Sequence, residues 1–587
     1  MSAMVSGEQP RDDNETLQNT VKRMAAVLAE AQRLLALRGE AVLEVQGVDC
    51  EAEVASLAEA LRPVADTTVL RRSPQSSTVL VRSRTEQREL RVCVIGNVDA
   101  GKVRCSHSRR GPILLLAPAT SLARLLARAS AAASAAALPS PRLRPPAAAA
   151  FRRHSVLLAR ALSSVANTRV AVQSTLVGVL TRGVLDDGRG AARSKVFRHP
   201  HEEATGRTSS VSQHNVCFDS TGKALEATRC GGSEVLAEAA KILCLIDLCG
   251  HERYLKTTCY GLTGTLPDYA CVIVGGNAGL VGMSREHYGL ALALRIPVFF
   301  VVSKIDMAPE QILKETVAEL SATLRKPGVR KRPLLIKSDD DVFTAAANMA
   351  SDAVTPIFLL SAVDGRGLAR LRLFLNLLPQ REDWGAREAE DTEFLIDEVF
   401  QVPGVGTVVA GTLRAGSISD STRLMLGPDP GDGLFKLAAV KSLHYKAQPV
   451  SRIVAGQTAA LALKKVKRKE VRKGMVLVAP SKSPSSTWTF FAEISVLTHS
   501  TTISPRYEAV VHLSVLRQTA SIELMDRQLL RSGDRAIVRF RFKQRPEYVV
   551  TGTRFVFREG RTKGIGVVVA PPPEGLLEAP VGDPPKP

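Results

Sequence analysis

A glycine-rich loop after an apolar, strand-like run restricts this chain to a small number of folds. Residues 91–95 lead into a G-x-x-x-x-G-K segment, in which glycines turn backbone N–H groups toward a polyphosphate and the lysine reaches its outer phosphates. The run therefore predicts the first strand of an α/β domain with a phosphate-binding loop (P-loop). Its candidate nucleotide-binding residues are Gly96, Asn97, Val98, Asp99, Ala100, Gly101 and Lys102.

The loop is interrupted at its lysine. A Ser or Thr should follow Lys102 to place a hydroxyl on Mg²⁺, but Val103 follows instead. The hydroxyls come after residues 103–173, where Ser174 and Thr175 open an apolar, helix-like stretch. Without that segment the sequence would be GNVDAGKSTLVGVL, so we expect both residues to bind nucleotide and Ser174 to bind Mg²⁺.

Two interpretations of the segment 103–173 stay open. It holds eleven arginines, no lysine and no acid, in a low-complexity sequence of Ala, Leu, Pro and Ser. It is either an arginine-rich arm for nucleic acid or targeting, or translated intron. The edges favour the intron, because Val103 is encoded by GTN, as a splice donor begins, and Gln173 by CAA or CAG, which allows an acceptor AG.

Length and pattern predict several domains, since 587 residues exceed one hydrophobic core. Buried Val/Ile-rich runs separated by helical stretches, at 242–246, 270–274, 298–302 and 357–360, predict a mostly parallel sheet with helices on both faces. Short, glycine-punctuated alternating strands then predict two antiparallel β-barrels. The predicted strands of the first are 394–399, 406–413, 423–426 and 457–463, and those of the second are 490–498, 507–513, 535–542 and 553–569. The expected boundaries are an N-terminal extension with a small helix and strand module (1–88), the P-loop domain (89–378), a linker (379–392), two barrels (393–481 and 487–570) and a disordered Pro-rich tail (571–587).

The cysteines and the apolar runs indicate a cellular location. All nine cysteines lie between Cys50 and Cys271 without a C-x-x-C pair, which favours a reducing compartment and argues against disulfides or a zinc site. The polar, acidic N-terminus is unlike a signal peptide, and the apolar stretch 113–138 is broken by Pro118 and Arg124. We expect a monomeric protein in a reducing compartment, without membrane association.

Two segments have the composition of nucleotide-sensing switches. Thr208 lies in a polar loop and could close over Mg²⁺ when a γ-phosphate is present. Asp247 directly follows the strand-like run 242–246 and could hold Mg²⁺ through water. The Gly250 N–H could meet the γ-phosphate, and His251 could orient the attacking water. A lone D-x-x-G is typical of a turn, but its position after a buried strand favours the switch.

Two further strand ends predict guanine recognition. Asp306 offers two carboxylate oxygens to the N1–H and amine of guanine, and the Lys304 stem could lie along the base. Adenine lacks this donor pair, so ATP should be rejected. Ser303 stands where the usual pattern has Asn. A backbone N–H at Ser361 and Ala362 could reach the guanine oxygen. The ordered set predicts GTP and GDP as ligands, with Mg²⁺.

These motifs resemble the GTP-binding protein 1 and 2 family of elongation-factor-like translational GTPases, and TTISPRY favours the first branch. The resemblance covers about residues 75–570 apart from the insert, through GNVDAGK, GRTSSV, DLCGHERYLKTT, SREH, SKID, VPGVGTVVAGTL, TTISPRY and FREGRTKGIG. It implies GTP hydrolysis with Lys102 and His251 as catalytic residues, and Asp99 near the phosphates with a monovalent cation. It also implies tRNA, the ribosome or the RNA-decay machinery as partners, in translation or mRNA turnover, and a cytoplasmic location.

Alternatives to the GTPase hypothesis stay open. Because the insert splits the phosphate loop, the chain could instead be a catalytically dead RNA- or protein-binding module. A sulfate-activating GTPase subunit is a third possibility. Besides the insert, the sequence departs from the family at Pro200, where the family tends to have lysine. Basic clusters at 464–473 and 554–563 are either solvated strand edges or phosphate contacts to RNA.

Overall fold

The computed structural model describes residues 12–38, 40–46, 50–73, 75–83, 88–97, 172–225, 238–280, 282–560 and 562–570. The predictions for the insert up to residue 171, and for the tail 571–587, lie outside these ranges. So do those for the loop residues Val98, Asp99, Ala100, Gly101 and Lys102. Within the described ranges, no helix has the length and apolarity needed to cross a membrane.

A small α/β module begins the described chain. Its antiparallel sheet has the strand order β1-β3-β2, and two helices cover one face. Apolar residues at helical spacing on the helices pack against alternate strand residues, including Leu57, Leu61, Val79 and Val81. The elements are α1 (Asp12–Arg38), β1 (Glu40–Gln46), α2 (Cys50–Leu61), β2 (Ala65–Arg72) and β3 (Ser76–Ser83).

The central domain is a seven-stranded sheet in the order β5-β6-β4-β7-β8-β10-β9, in which only β5 runs antiparallel. Two hydrophobic cores fill its two faces, as predicted for a mostly parallel sheet covered by helices. The elements are β4 (Arg88–Gly96), α3 (Val172–Arg182), α4 (Ala191–Ser194), α5 (Pro200–Thr205), β5 (Ser212–Phe218), β6 (Lys241–Asp247), α6 (Leu255–Gly264), β7 (Tyr269–Gly275), α7 (Met283–Ala293), β8 (Val298–Ser303), α8 (Glu310–Leu324), β9 (Arg332–Leu335), α9 (Asp339–Met349), β10 (Val354–Leu359) and α10 (Leu368–Leu377).

The linker contains a short helix, α11 (Trp384–Glu388), which sequence analysis did not predict. Its first turn is capped by Asp383, whose side chain accepts a hydrogen bond from the Ala386 N–H at 3.0 Å. The part of the linker before the first barrel is therefore helical.

Two barrels follow the linker. In the first, the pairing of β14 with β15 closes the strand order β14-β19-β11-β12-β18-β15 into a ring. Its strands are β11 (Glu393–Val402), β12 (Gly406–Ala415), β13 (Ser417–Ser419), β14 (Arg423–Gly427), β15 (Lys436–Tyr445), β16 (Gln448–Val450), β17 (Arg452–Val454), β18 (Thr458–Lys464) and β19 (Val476–Val478).

The second barrel is a closed ring of six antiparallel strands in the order β20-β23-β22-β21-β24-β25. The apolar run 553–569, expected as one stretch, is two strands. They are joined at Gly560, where φ of +52° suits glycine in a hairpin turn. The strands are β20 (Thr489–Thr498), β21 (Glu508–Leu513), β22 (Leu516–Met525), β23 (Arg535–Phe542), β24 (Arg554–Glu559) and β25 (Thr562–Val569).

Ion pairs and apolar contacts join the domains. In the N-terminal module, Glu40 lies 2.8 Å from Arg82 and 2.6 Å from Lys241, so it ties β1 to β6 of the central sheet. The second barrel contributes Val556 and Ile565 to one of the central domain's cores, and Lys563 pairs with Glu286 on α7 at 2.5 Å. These contacts anchor the neighbouring modules on the central domain.

Candidate nucleotide-binding site

The residues singled out from sequence gather at one edge of the central sheet. Gly96 ends β4, Asp247 ends β6, Ser303 ends β8 and Ser361 follows β10. Parallel strands place their carboxyl ends together, and the loops there form the usual ligand crevice of such sheets. The fold thus explains how motifs far apart in the chain come to share one site.

Three oxygen-bearing side chains meet at the start of α3. Ser174 Oγ lies 2.6 Å from Asp247 Oδ2, to which it donates, and 2.6 Å from Thr208 Oγ1. All three residues are buried. They come from the P-loop helix, the switch loop and the D-x-x-G turn, which are the three segments expected to hold the metal.

The chemistry of this cluster fits a divalent cation. Burial raises the pKa of Asp247 to about 7, although the hydrogen bond from Ser174 opposes the shift. Among the described residues, Asp247 Oδ1 has no hydrogen-bond partner. Mg²⁺ takes hard oxygen ligands and would offset the cost of this buried carboxylate. The cluster therefore suits Mg²⁺, and the individual metal roles stay predictions.

Glu202 holds the loop around Thr208 in place by accepting hydrogen bonds, a role that the sequence did not predict. Its Oε1 accepts hydrogen bonds from Ser209 N–H at 2.6 Å, Ser209 Oγ at 2.8 Å and Ser210 N–H at 3.1 Å. Its Oε2 accepts from Arg198 N–H at 3.0 Å. These bonds outweigh burial and lower the pKa of Glu202 to about 2. An acid at the third position of α5 is a capping-box pattern, and that signal could have revealed it.

Pro200, noted as a departure from the family, begins α5. It occupies the first helical turn, where proline is tolerated because the N–H there has no helical partner. The substitution is thus compatible with the helix that carries Glu202.

His251 caps the short helical turn Glu252–Tyr254 that precedes α6. Its Nδ1 accepts a hydrogen bond from the Arg253 N–H at 3.1 Å. A neutral ring with Nδ1 as acceptor carries its proton on Nε2. Nε2 is then a hydrogen-bond donor, as a residue that orients water requires. The water-orienting role of His251 stays a prediction.

The base-recognition residues form a second part of the site. Lys304 is half-buried and adopts a left-handed backbone with φ of +61°, and burial lowers the pKa of its ammonium group. Asp306 is exposed. Ser303 Oγ donates to the Val274 carbonyl at 3.2 Å, so its hydroxyl bonds within the sheet.

The Ser361 loop is held from two sides. Ser361 Oγ accepts hydrogen bonds from the N–H groups of Val363 and Asp364, each at 3.3 Å. The Ala362 carbonyl accepts from the Asp186 N–H at 2.9 Å, which links this loop to the segment after α3. The phosphate and base parts of the site are therefore mechanically connected.

Gln173 is the second residue that sequence analysis missed as part of the site. Its side chain is 1% exposed and lies between the backbones of Gly96 and Gly250. A Cβ on Gly250 would stand 2.7 Å from Gln173 Oε1. Only the packing of the ends of β4 and β6 against α3 reveals this placement.

Comparison with known proteins gives the family. Residues 173–399 match the model of the elongation factor Tu GTP binding domain. GTP-binding protein 1 of Xenopus laevis is 53% identical over 403 residues, which cover 68% of this chain and 61% of that protein. GTP-binding protein 2 of Homo sapiens is 45% identical over 404 residues, covering 68% and 67%.

A solved structure shares the fold. Translation elongation factor SelB from Methanococcus maripaludis, in complex with the GTP analogue GppNHp, superposes with a TM-score of 0.51 at 16% identity, over 84% of this chain and 81% of SelB. The chain spans about three fifths of the Xenopus relative's length. The matches confirm the predicted architecture: the chain belongs to the family of GTP-binding proteins 1 and 2, and its central domain is a P-loop GTPase domain of the elongation factor Tu type followed by two β-barrels.

Proposed function

We propose that this chain binds and hydrolyses GTP as a molecular switch that acts with tRNA or the ribosome, in translation or mRNA turnover. The observation that carries the proposal is the contact of Ser174, Thr208 and Asp247. It joins the nucleotide-sensing loop to the P-loop helix around one metal position. A switch requires this arrangement, because loss of the γ-phosphate then releases the loop.

The chain's residues would act mainly by positioning. Ser174, Thr208 and Asp247 would hold Mg²⁺, which would supply positive charge to offset the charge that develops in the transition state. Ser174 and Thr208 would offer hydroxyl oxygens, and Asp247 would act through water. The Gly250 N–H would face the γ-phosphate, and His251 would orient the attacking water. The expected phosphate contact of Lys102 falls outside the described residues.

Guanine selectivity would come from Asp306, with Lys304 along the base. A buried pair of donors on guanine matches the two carboxylate oxygens, whereas adenine would leave them unpaired. Ser361 and Ala362 lie on a loop already held by hydrogen bonds, so their backbone is ordered before nucleotide binds.

An RNA partner is supported by a basic surface on the first barrel. We call the exposed residues Lys464, Lys465, Lys467, Arg468 and Lys469 the β18 cluster. In the second basic cluster, residues 554–563, Lys563 forms an ion pair with Glu286 of the central domain and is therefore not available to RNA. Cations that are free to meet phosphates bind RNA without reading its sequence. The β18 cluster is therefore our candidate for the RNA contact.

One observation favours the rival hypothesis of a catalytically dead binding module. The residue directly before Ser174 is Gln173, so the described helix start lacks the cation that a phosphate loop places there. Under that hypothesis the barrels would bind RNA or protein without nucleotide control.

Titration with fluorescent GTP separates the two hypotheses. The full chain and a variant lacking residues 103–173 would each be titrated with Mg²⁺ or with a chelator, and with ATP as competitor. Mg²⁺-dependent binding by both proteins, displaced by GTP and not by ATP, is the expected result and would exclude the dead module. Binding by the shortened variant alone would show that the full chain is inactive. Equal displacement by ATP would refute the switch.

A further inference from the structure

The start of α3 places an unusual residue beside the metal ligands. In a phosphate loop, the residue before the Ser or Thr that binds Mg²⁺ is the lysine that reaches the outer phosphates. Here Ser174 meets Asp247 and Thr208 as that hydroxyl should, and the residue before it on the same helix is Gln173. Gln173 therefore holds the position of the lysine relative to the metal site.

The Gln173 side chain points into the site. A Cβ on Gly96 would lie 3.0 Å from its Nε2, and one on Gly250 would lie 3.0 Å from the same atom. The amide thus fills the gap between the end of β4 and the D-x-x-G turn. Because the Gly250 backbone is expected to face the γ-phosphate, the amide lies at the outer-phosphate end.

The same amide lacks a partner. Gln173 is 1% exposed, and neither Oε1 nor Nε2 makes a hydrogen bond to any part of the chain that the structure describes. A buried amide without partners is unfavourable, and native structures usually satisfy such groups. A ligand phosphate oxygen beside Gly250 would satisfy the Nε2 donor.

We propose that Gln173 contacts the outer phosphates of the bound guanine nucleotide, as a neutral amide donor in the position of the usual ammonium group. This inference rests on the proposed GTP binding and specifies how the site meets the phosphates. An amide donates a weaker hydrogen bond to an anion than a cation does. The chain should therefore discriminate GTP from GDP less strongly than a site with lysine there.

The test uses the full chain with Mg²⁺ and fluorescent GTP or GDP. Gln173→Ala should weaken GTP binding by about 2- to 10-fold, the range of one neutral hydrogen bond. Gln173→Lys should tighten it by about 10-fold or more, because the bond becomes charge-assisted. Both changes should be smaller for GDP, so the ratio of the two affinities moves, which a purely structural defect would not produce.

Two controls sharpen the result. Gln401→Lys adds the same charge at an exposed position of β11 and should leave GTP binding unchanged. The second control repeats the Gln173 variants in a Lys102→Ala background, where their effects on GTP binding should persist because they arise from the Gln173 side chain.

Three outcomes would overturn the inference. Tighter GTP binding by Gln173→Ala would show that the amide only blocks the site. Loss of binding in Lys102→Ala, with no response to the Gln173 variants, would assign the contact to Lys102. If neither the full chain nor Gln173→Lys binds GTP in preference to ATP, the proposed function fails and this inference fails with it.

Discussion

Asp306 is the residue on which the proposed choice of guanine depends. Asp306→Asn replaces one acceptor oxygen by an NH₂ group that faces the guanine donors. One hydrogen bond becomes a donor facing a donor and the other loses its charged acceptor, each change costing about 1.5–3 kcal/mol, so GTP affinity should fall by at least about 100-fold. Titration with fluorescent GTP measures the loss. Asp420→Asn, at an exposed position of the first barrel, should bind as the parent does. Equal affinities for the parent and Asp306→Asn would contradict the assignment.

Asp268 gives the central domain a pH dependence. It is 4% exposed, and burial raises its pKa from 3.8 to about 6, although the Arg91 N–H, 2.8 Å from Oδ2, opposes the shift. Between these values the folded state binds more protons than the unfolded state, so this group's contribution to stability falls as pH rises. Between pH 4 and pH 7, ionisation of Asp268 should lower the free energy of unfolding by about 2–3 kcal/mol, and Asp268→Asn should abolish this decrease.

Urea denaturation at pH 4, 5.5 and 7 checks this prediction. Other carboxylates change stability in the opposite direction, so the relevant quantity is the difference between Asp268→Asn and the parent. That difference should grow in favour of the variant as pH rises. A difference that stays constant with pH would show that Asp268 is already ionised at pH 4.

Sequence alone predicts the residues of the site whose roles follow from strand ends. Ser174 opens a recognisable apolar run, and Asp247 and Asp306 each follow one. Their positions relative to these runs were therefore enough to predict that they lie at the site. Gln173 and Glu202 were missed because their roles depend on contacts across the fold. Gln173 meets two strand ends, and Glu202 accepts hydrogen bonds from residues seven and eight positions later. No local pattern records the contacts of Gln173, whereas the capping box marks Glu202 as an acceptor at the start of α5 but not its bonds to Ser209 and Ser210.

The switch segment, residues 198–211, depends on a single buried carboxylate. Glu202→Gln keeps the shape of the side chain but turns an NH₂ group toward backbone N–H donors. We expect faster amide hydrogen exchange at 207–211 and GTP hydrolysis slower by about 10-fold, because Thr208 loses its fixed position. The adjacent Glu203 is exposed, so Glu203→Gln is a matched control. Unchanged exchange in Glu202→Gln would show that other contacts hold the segment.

Strands differ in how well they could be predicted. The continuous apolar runs that became β6, β7, β8 and β10 were found because both of their faces are buried. The edge strand β5 and the barrel strands β15 and β22 were missed, since polar residues interrupt their alternation. The pairing of β14 with β15, which closes the first barrel, could not be predicted either, because the sequence of a strand does not determine which strand it pairs with.

The attachment of the first barrel to the central domain centres on Glu89. Its Oε2 accepts from Tyr445 Oη at 2.9 Å, and Lys446 Nζ lies 3.1 Å from Oε1 and 3.3 Å from Asn215 Oδ1. Lys446 lowers the pKa of Glu89 against the effect of burial. This contact joins β4 and β5 of the sheet to the end of β15.

Lys446→Met should weaken that attachment. It leaves a buried carboxylate without its nearest cation, which typically costs about 3–5 kcal/mol of unfolding free energy. Denaturation followed by calorimetry measures the loss, and the exposed Lys441→Met serves as control. The double variant Glu89→Gln with Lys446→Met should recover part of the stability, because the carboxylate that lost its nearest cation is then neutral. A single-variant loss below about 1 kcal/mol would argue against this buried pair.

The whole chain carries a net charge of +20, of which +11 comes from the segment 103–173, so RNA binding must be traced to a surface rather than to charge alone. Replacing the five residues of the β18 cluster by Gln should weaken binding to tRNA and to an unstructured RNA about equally, since phosphate contacts do not read sequence. With single-stranded RNA, the slope of log affinity against log salt should become shallower by about 3–4 for five lost contacts. Filter binding across a salt series measures both effects. In a control, exchanging the exposed Arg325, Lys326, Arg330, Arg332 and Lys337 for Gln removes the same charge from the central domain. If this control flattens the slope as much as the β18 variant does, binding follows overall charge and the first barrel is not the RNA surface.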